Sequence, residues 1–83
     1  MILYFENSEG KVRRVGKING HMSKRDIYDE VFRQINQFCY DRHFTVYYVR
    51  MWNTELRGKK ATQFDVGSHT EFFYTVPELK IPV

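Results

Sequence analysis

The sequence predicts an α+β domain: a single antiparallel sheet of four to five strands with one helix packed on one face, in the order ββαββ(β). Three observations predict it. Only Ser23–Arg42 carries a helical period, the runs on either side are short and rich in β-branched or aromatic residues, and Asn/Gly-type turns separate those runs. Eighty-three residues are expected to form one domain, 1–83. A chain of that size buries a modest fraction of its surface, so its core must be efficient. The aromatic share of 17% supplies large rings, each able to bury about 150–250 Å², either for that core or for an exposed binding surface.

Taken in order, Ile2–Glu6 reads as a strand and Asn7-Ser8-Glu9-Gly10 as a turn. Lys11–Ile18 returns as a second strand; its alternation breaks at Arg13-Arg14 and Gly16 follows, which points to a bulge or an edge position. Asn19-Gly20 is a second turn. In Ser23–Arg42, Ile27, Val31, Ile35 and Phe38 recur on one helical face, and Tyr28, Phe32 and Cys39 widen the stripe. Ser23 is placed to cap the first turn by accepting from the N–H of Asp26, with Met22 and Ile27 as a hydrophobic staple. Acidic residues at 26, 29 and 30 and Arg42 at the far end suit the helix dipole.

After the helix, Phe44–Trp52 (FTVYYVRMW) is the strongest strand signal and, being apolar on both faces, reads as a central strand. Asn53–Lys60 reads as a polar loop. Ala61–Val66 and Thr70–Val76 read as two strands around Gly67-Ser68, or as one bent strand with a glycine bulge, and Gly67 is expected to hold a conformation that residues with a Cβ disfavour. Pro77 ends the sheet. The tail Glu78–Val83 alternates Leu79, Ile81 and Val83, a pattern suited to docking.

Charge and composition narrow the function classes. The net charge is +3, mildly basic and not that of a dedicated nucleic-acid binder unless the cations cluster. A single cysteine rules out an intramolecular disulfide and fits a reducing compartment. The N-terminus lacks a signal-peptide pattern and no stretch has the roughly 18 apolar residues of a membrane span, so the expectation is a cytoplasmic protein with no membrane partner.

Catalytic constellations are thin. Glu78-Leu79-Lys80 has the E-x-K spacing of a metal-dependent nuclease, with Asp65 and Glu71 as further carboxylates, but it lies between two prolines. Ser68-His69 are neighbours, and adjacent strand residues point to opposite faces. A Cys39–His43 pair has i, i+4 spacing, yet Cys39 flanks the apolar stripe and is more simply a packing group. No enzyme is expected. Cys39, His43, Asp65 and His69 are the one set that would give a tetrahedral site, so a structural zinc is the only cofactor in view. The plainer reading has Cys39 packed, His43 ending the helix and His69 in a turn.

Cations fall in two clusters, Lys11, Arg13, Arg14 and Lys17 on the second strand and Arg50, Arg57, Lys59 and Lys60 around the third. Brought together, they would make a basic face with Tyr47, Tyr48 and Trp52 for base stacking, which is one expectation: a small RNA- or single-stranded-DNA-binding protein. The run Tyr47–Trp52 (YYVRMW) also holds the Trp, Tyr and Arg types that dominate protein interfaces. The expected partner surface is Arg13, Arg14, Tyr48, Arg50, Trp52, Arg57 and Lys59. Unpaired edges would allow either a monomer or a sheet-extended homodimer.

YYVRMW, the later FDVGSHTEFFY and the opening ILYFENSEGK together resemble a group of short uncharacterised proteins encoded by phages and prophages of Gram-positive bacteria. The resemblance carries no catalytic motif onto this chain. It implies a non-enzymatic module that binds a bacterial host protein stoichiometrically, such as an anti-CRISPR-like inhibitor of a defence nuclease or of a nuclease–RNA complex. The basic charge argues against simple DNA mimicry.

Overall fold

The computed structural model describes residues 1–77, so the Glu78-Leu79-Lys80 spacing and the docking pattern of the tail lie outside the described residues. Five strands and one helix follow in the order β1 (Ile2–Glu6), β2 (Val12–Lys17), α1 (Lys24–Asp41), β3 (Arg50–Leu56), β4 (Lys59–Asp65) and β5 (Phe72–Val76). They form one antiparallel sheet in the spatial order β2-β1-β5-β4-β3. The α+β class is as the sequence predicts, with the element order resolved to ββαβββ: 61–66 and 70–76 are two strands, not one bent one. β2 is an edge strand, and a bulge at Val15 shifts its register between Gly16, opposite Leu3, and Arg14, opposite Tyr4. Both alternatives raised for Lys11–Ile18 therefore hold.

One expectation is overturned. Phe44–Trp52 is not a central strand: 44–49 has no regular structure, and the strand that follows runs Arg50–Leu56 through the stretch that reads as a polar loop. It is the outer strand of the sheet. The physical reason is the turn. Arg57 and Gly58 both have positive φ, 51° and 82°, and Leu56 faces Lys59 directly across them. A two-residue loop with both φ values positive has the twist of a tight hairpin. Arginine is not a residue that announces such a turn, so the polar Asn53–Lys60 segment conceals it.

α1 covers the middle of the sheet. Val31, Ile35, Phe38 and Cys39 are buried against Leu3, Phe5, Phe64 and Phe73, while Ile27, Tyr28 and Phe32 flank them. The register explains this set: Phe5 faces Phe73 across β1 and β5, and Phe73 faces Phe64 across β5 and β4, so period-two alternation turns all three to one side. Phe73 has its ring centroid 5.1 Å from Phe5 and 5.4 Å, edge-on, from Phe38. On the opposite face Ala61, Tyr74 and Val76 form a second buried cluster with Tyr4, Leu56 and Phe72 around it. There the Tyr74 hydroxyl donates to Glu6, and burial, with the neighbouring carboxylate, pushes the phenol up to about 12.

The helix ends are built locally. Ser23 Oγ accepts from the N–H of Asp26 at 3.2 Å. Ser23→Ala is expected to lower stability by about 1 kcal/mol in denaturant titration; an unchanged midpoint would place the cap elsewhere. At the other end Phe44 N–H donates to Cys39 C=O at 2.8 Å and His43 N–H to Tyr40 C=O at 3.2 Å. His43 has φ 59°. This is a Schellman ending with histidine where glycine is usual, which assigns His43 its place as the helix stop.

Candidate binding surface

The segment that leaves the helix carries the exposed apolar side chains. Tyr40, Phe44, Tyr47, Tyr48, Val49, Met51 and Trp52 are the exposed large hydrophobic residues among the described residues, and six of the seven fall within 44–52. Tyr47 is 71% exposed and Trp52 41%. The cause is topological. α1 lies over β2, β1, β5 and β4, whereas β3 sits beyond it, so Met51 on the helix side and Trp52 on the other are both left open. This apolar concentration makes the segment the candidate contact site of the domain.

Two devices hold the segment in place. The first is the turn after β4. Gly67 has φ 97°, and a Cβ added there would lie 2.9 Å from Tyr47 Cβ and 3.2 Å from ring atoms of Tyr47 and Tyr48. Tyr47 N–H donates to Val66 C=O at 3.0 Å. The loop therefore lies directly on the bare backbone at Gly67, whose positive φ is as the sequence leads one to expect. Ser68 shapes the rest of the turn, its Oγ accepting from Glu71 N–H and donating to Glu71 C=O. That hydroxyl closes the turn.

The second device is Asp65. Its side chain is only 3% exposed, accepts from Gly67 N–H at 2.8 Å and pairs with Arg50 at 2.9 Å. Arg50 also lies 5.1 Å from the centre of the Tyr48 ring. One carboxylate thus ties strand, turn and loop together. Burial pushes its pKa up, but the Gly67 N–H, the Arg50 guanidinium and the charge of His69 together outweigh that and leave it below the ordinary 3.8. A depressed carboxyl contributes stability above its unfolded value and loses it as pH falls through the folded one. Acid titration of stability should accordingly show a fall below about pH 3.8 that is shallower in Asp65→Asn; parallel curves would remove Asp65 from this role.

The predicted partner residues divide. Tyr48, Arg50, Trp52, Arg57 and Lys59 sit on β3, its leading loop, its hairpin turn and the start of β4, with Trp52 Nε1 donating to Gln63 at 3.1 Å. Arg13 and Arg14 sit on β2, at the opposite edge, four strand spacings or about 19 Å away. The single basic and aromatic face that would join both clusters is not assembled. Sequence reasoning named Tyr47 only for base stacking and passed over Phe44, Val49 and Met51 as contact residues; their placement in a supposed central strand concealed that they precede or flank an uncovered edge.

The four metal candidates are not gathered into one site, although Cys39 and His43 line the same cavity. Asp65 is engaged by Arg50 and Gly67, and Cys39 is 1% exposed with its thiol pushed up by burial and by the Glu71 charge. His43 ends the helix and His69 holds a turn position with φ 66°. Among the described residues no group of three or more His, Cys, Asp or Glu side chains is arranged to hold a metal ion. No described helix is long and apolar enough to cross a membrane. No family model matches the chain, and neither the curated proteins nor the solved structures give a significant match.

Proposed function

We propose that this protein is a small non-enzymatic binding module that acts by stoichiometric contact with a protein partner through residues 44–52. The observation that carries the reading is the concentration of six exposed large hydrophobic residues in that one segment, anchored by Gly67 and Asp65. Tyr, Trp and Arg are there together, the types that form interface hot spots. The outer edge of β3 adds unpaired backbone groups, because an antiparallel ladder engages only alternate residues of its last strand, and these allow a strand of the partner, or of a second copy, to extend the sheet.

The resemblance to phage and prophage proteins supplies the setting: a bacterial host protein in the cytoplasm, with a defence nuclease or a nuclease–RNA complex as the target that an anti-CRISPR-like inhibitor would bind. The test is affinity capture from a Gram-positive lysate after nuclease treatment, with wild type and Trp52→Ala side by side. One protein retained near stoichiometrically by wild type, and bound about 30-fold more weakly by Trp52→Ala as for a hot-spot residue of ~2 kcal/mol, is the expected result. Equal retention by the variant would move the interface elsewhere, and loss of all specific capture with nuclease would replace the reading with nucleic-acid binding.

A further inference from the structure

Arg13 and Arg14, separated from the β3 cluster, have other company. Together with Arg33 and Arg42 of α1 they line a groove of about 400 Å³ between β2 and the helix. Asp41 is the one carboxylate in the lining, and it accepts from the Gln37 amide at 2.9 Å. Four arginines face one acid in a chain whose total net charge is only +3, so the basic character of the molecule is concentrated here.

We propose that this groove binds the phosphodiester backbone of a nucleic-acid strand, independently of base sequence. The arginines are held ready for it. Arg42 lies 3.8 Å and Arg13 5.9 Å from the centre of the same ring, Phe38. A guanidinium kept in place by an aromatic face still has its in-plane N–H groups to donate. The guanidinium groups of Arg13, Arg14 and Arg42 have no hydrogen-bond or ion-pair partner among the described residues, whereas that of Arg33 is paired with Glu30 at 2.6 Å. Gly16 lies in the lining, and the Gln34 side chain occupies the place a Cβ there would take.

Two features favour a phosphate backbone over an acidic polypeptide. None of the exposed large hydrophobic residues lines the groove, so there is no anchor of the kind a protein interface uses. Arg33 and Arg42 are nine residues apart on α1, about 13 Å along its axis, which is longer than one phosphate ion and suits a repeating polyanion.

The experiment is anisotropy of a labelled 20-nucleotide single-stranded RNA of mixed sequence, titrated with the full chain at several salt concentrations from 50 to 200 mM. Binding is expected, with a log–log salt slope near −2, about −0.7 for each of three phosphates met by the unpaired arginines. Arg14→Gln/Arg42→Gln should bring the slope close to −0.7. Lys24→Gln/Arg25→Gln, with the same loss of charge at the far end of α1, should leave it unchanged. Both double variants change exposed side chains, and circular dichroism checks their fold. Absence of binding at 50 mM salt, or equal slopes for the two double variants, overturns the proposal. So does displacement of the RNA by polyglutamate at matched charge concentration, which would assign the groove to an acidic polypeptide. Because this readout uses no protein partner, it stands or falls separately from the surface at 44–52.

Discussion

Phe73→Ala is expected to remove about 3–5 kcal/mol of stability, a large part of the roughly 4–12 kcal/mol a domain of this length can hold. Phe73 is 1% exposed on a central strand, touches the rings of both Phe5 and Phe38, and faces Phe64 across the ladder. Truncation would take out the side chain where β1, β4, β5 and α1 meet, and neighbours held in paired strands cannot close around the gap. Urea titration followed by far-UV dichroism measures it. Phe73→Leu, which keeps most of the volume, should lose far less. A loss below about 1 kcal/mol for Phe73→Ala would mean that the helix is seated on other residues.

Gly67→Ala is expected to cost about 2–3 kcal/mol, from the left-handed backbone and from a collision in a packed contact. Relief is difficult because the nearest atom, Tyr47 Cβ at 2.9 Å, is attached to the backbone and cannot rotate away. The loop must lift instead, breaking the bond from Tyr47 N–H to Val66 C=O. The consequence reaches beyond stability. Trp52 is the only tryptophan, and its emission should shift in the variant even where the remainder stays folded. Partner capture should fall along with it. An unchanged melting temperature and an unchanged emission spectrum would show that the loop does not rest on Gly67.

Much of the fold was legible because its signals are local. The helix could be placed to the residue at Ser23 since an N-cap, a staple and an apolar stripe agree there, and Gly67 could be singled out because a turn that needs positive φ favours glycine. β3 was not legible for the opposite reason. An outer strand that is exposed along most of its length has little burial to impose alternation, so Asn53, Thr54 and Glu55 look like loop residues, while the exposed apolar residues before them imitate a core strand. Likewise, the joining of Arg13 and Arg14 with Arg33 and Arg42 depends on how the helix crosses β2, and no spacing along the chain encodes that. The separation of Asp65 from Cys39 and His43 follows from strand parity, which could be read only once the boundaries of β4 were known.

The pairing of β1 with β5 sets the order in which this chain can become a protein. Ile2 lies opposite Val76, so the centre of the sheet joins the two most distant parts of the described sequence. Contacts of such long sequence separation slow folding, because the loop must be closed before they reward it. During synthesis α1 and the β1–β2 hairpin emerge early but have no sheet centre to pack on until residue 76 has cleared the ribosome. Until then Leu3, Phe5 and Phe38 lack their cover, and the nascent chain presents a hydrophobic hairpin edge of the kind that chaperones hold. Moving β5 ahead of β1 by circular permutation would make that pairing local but would turn the β4–β5 pairing into the end-to-end one, so a central strand held by both ends of the chain is inherent in this sheet order.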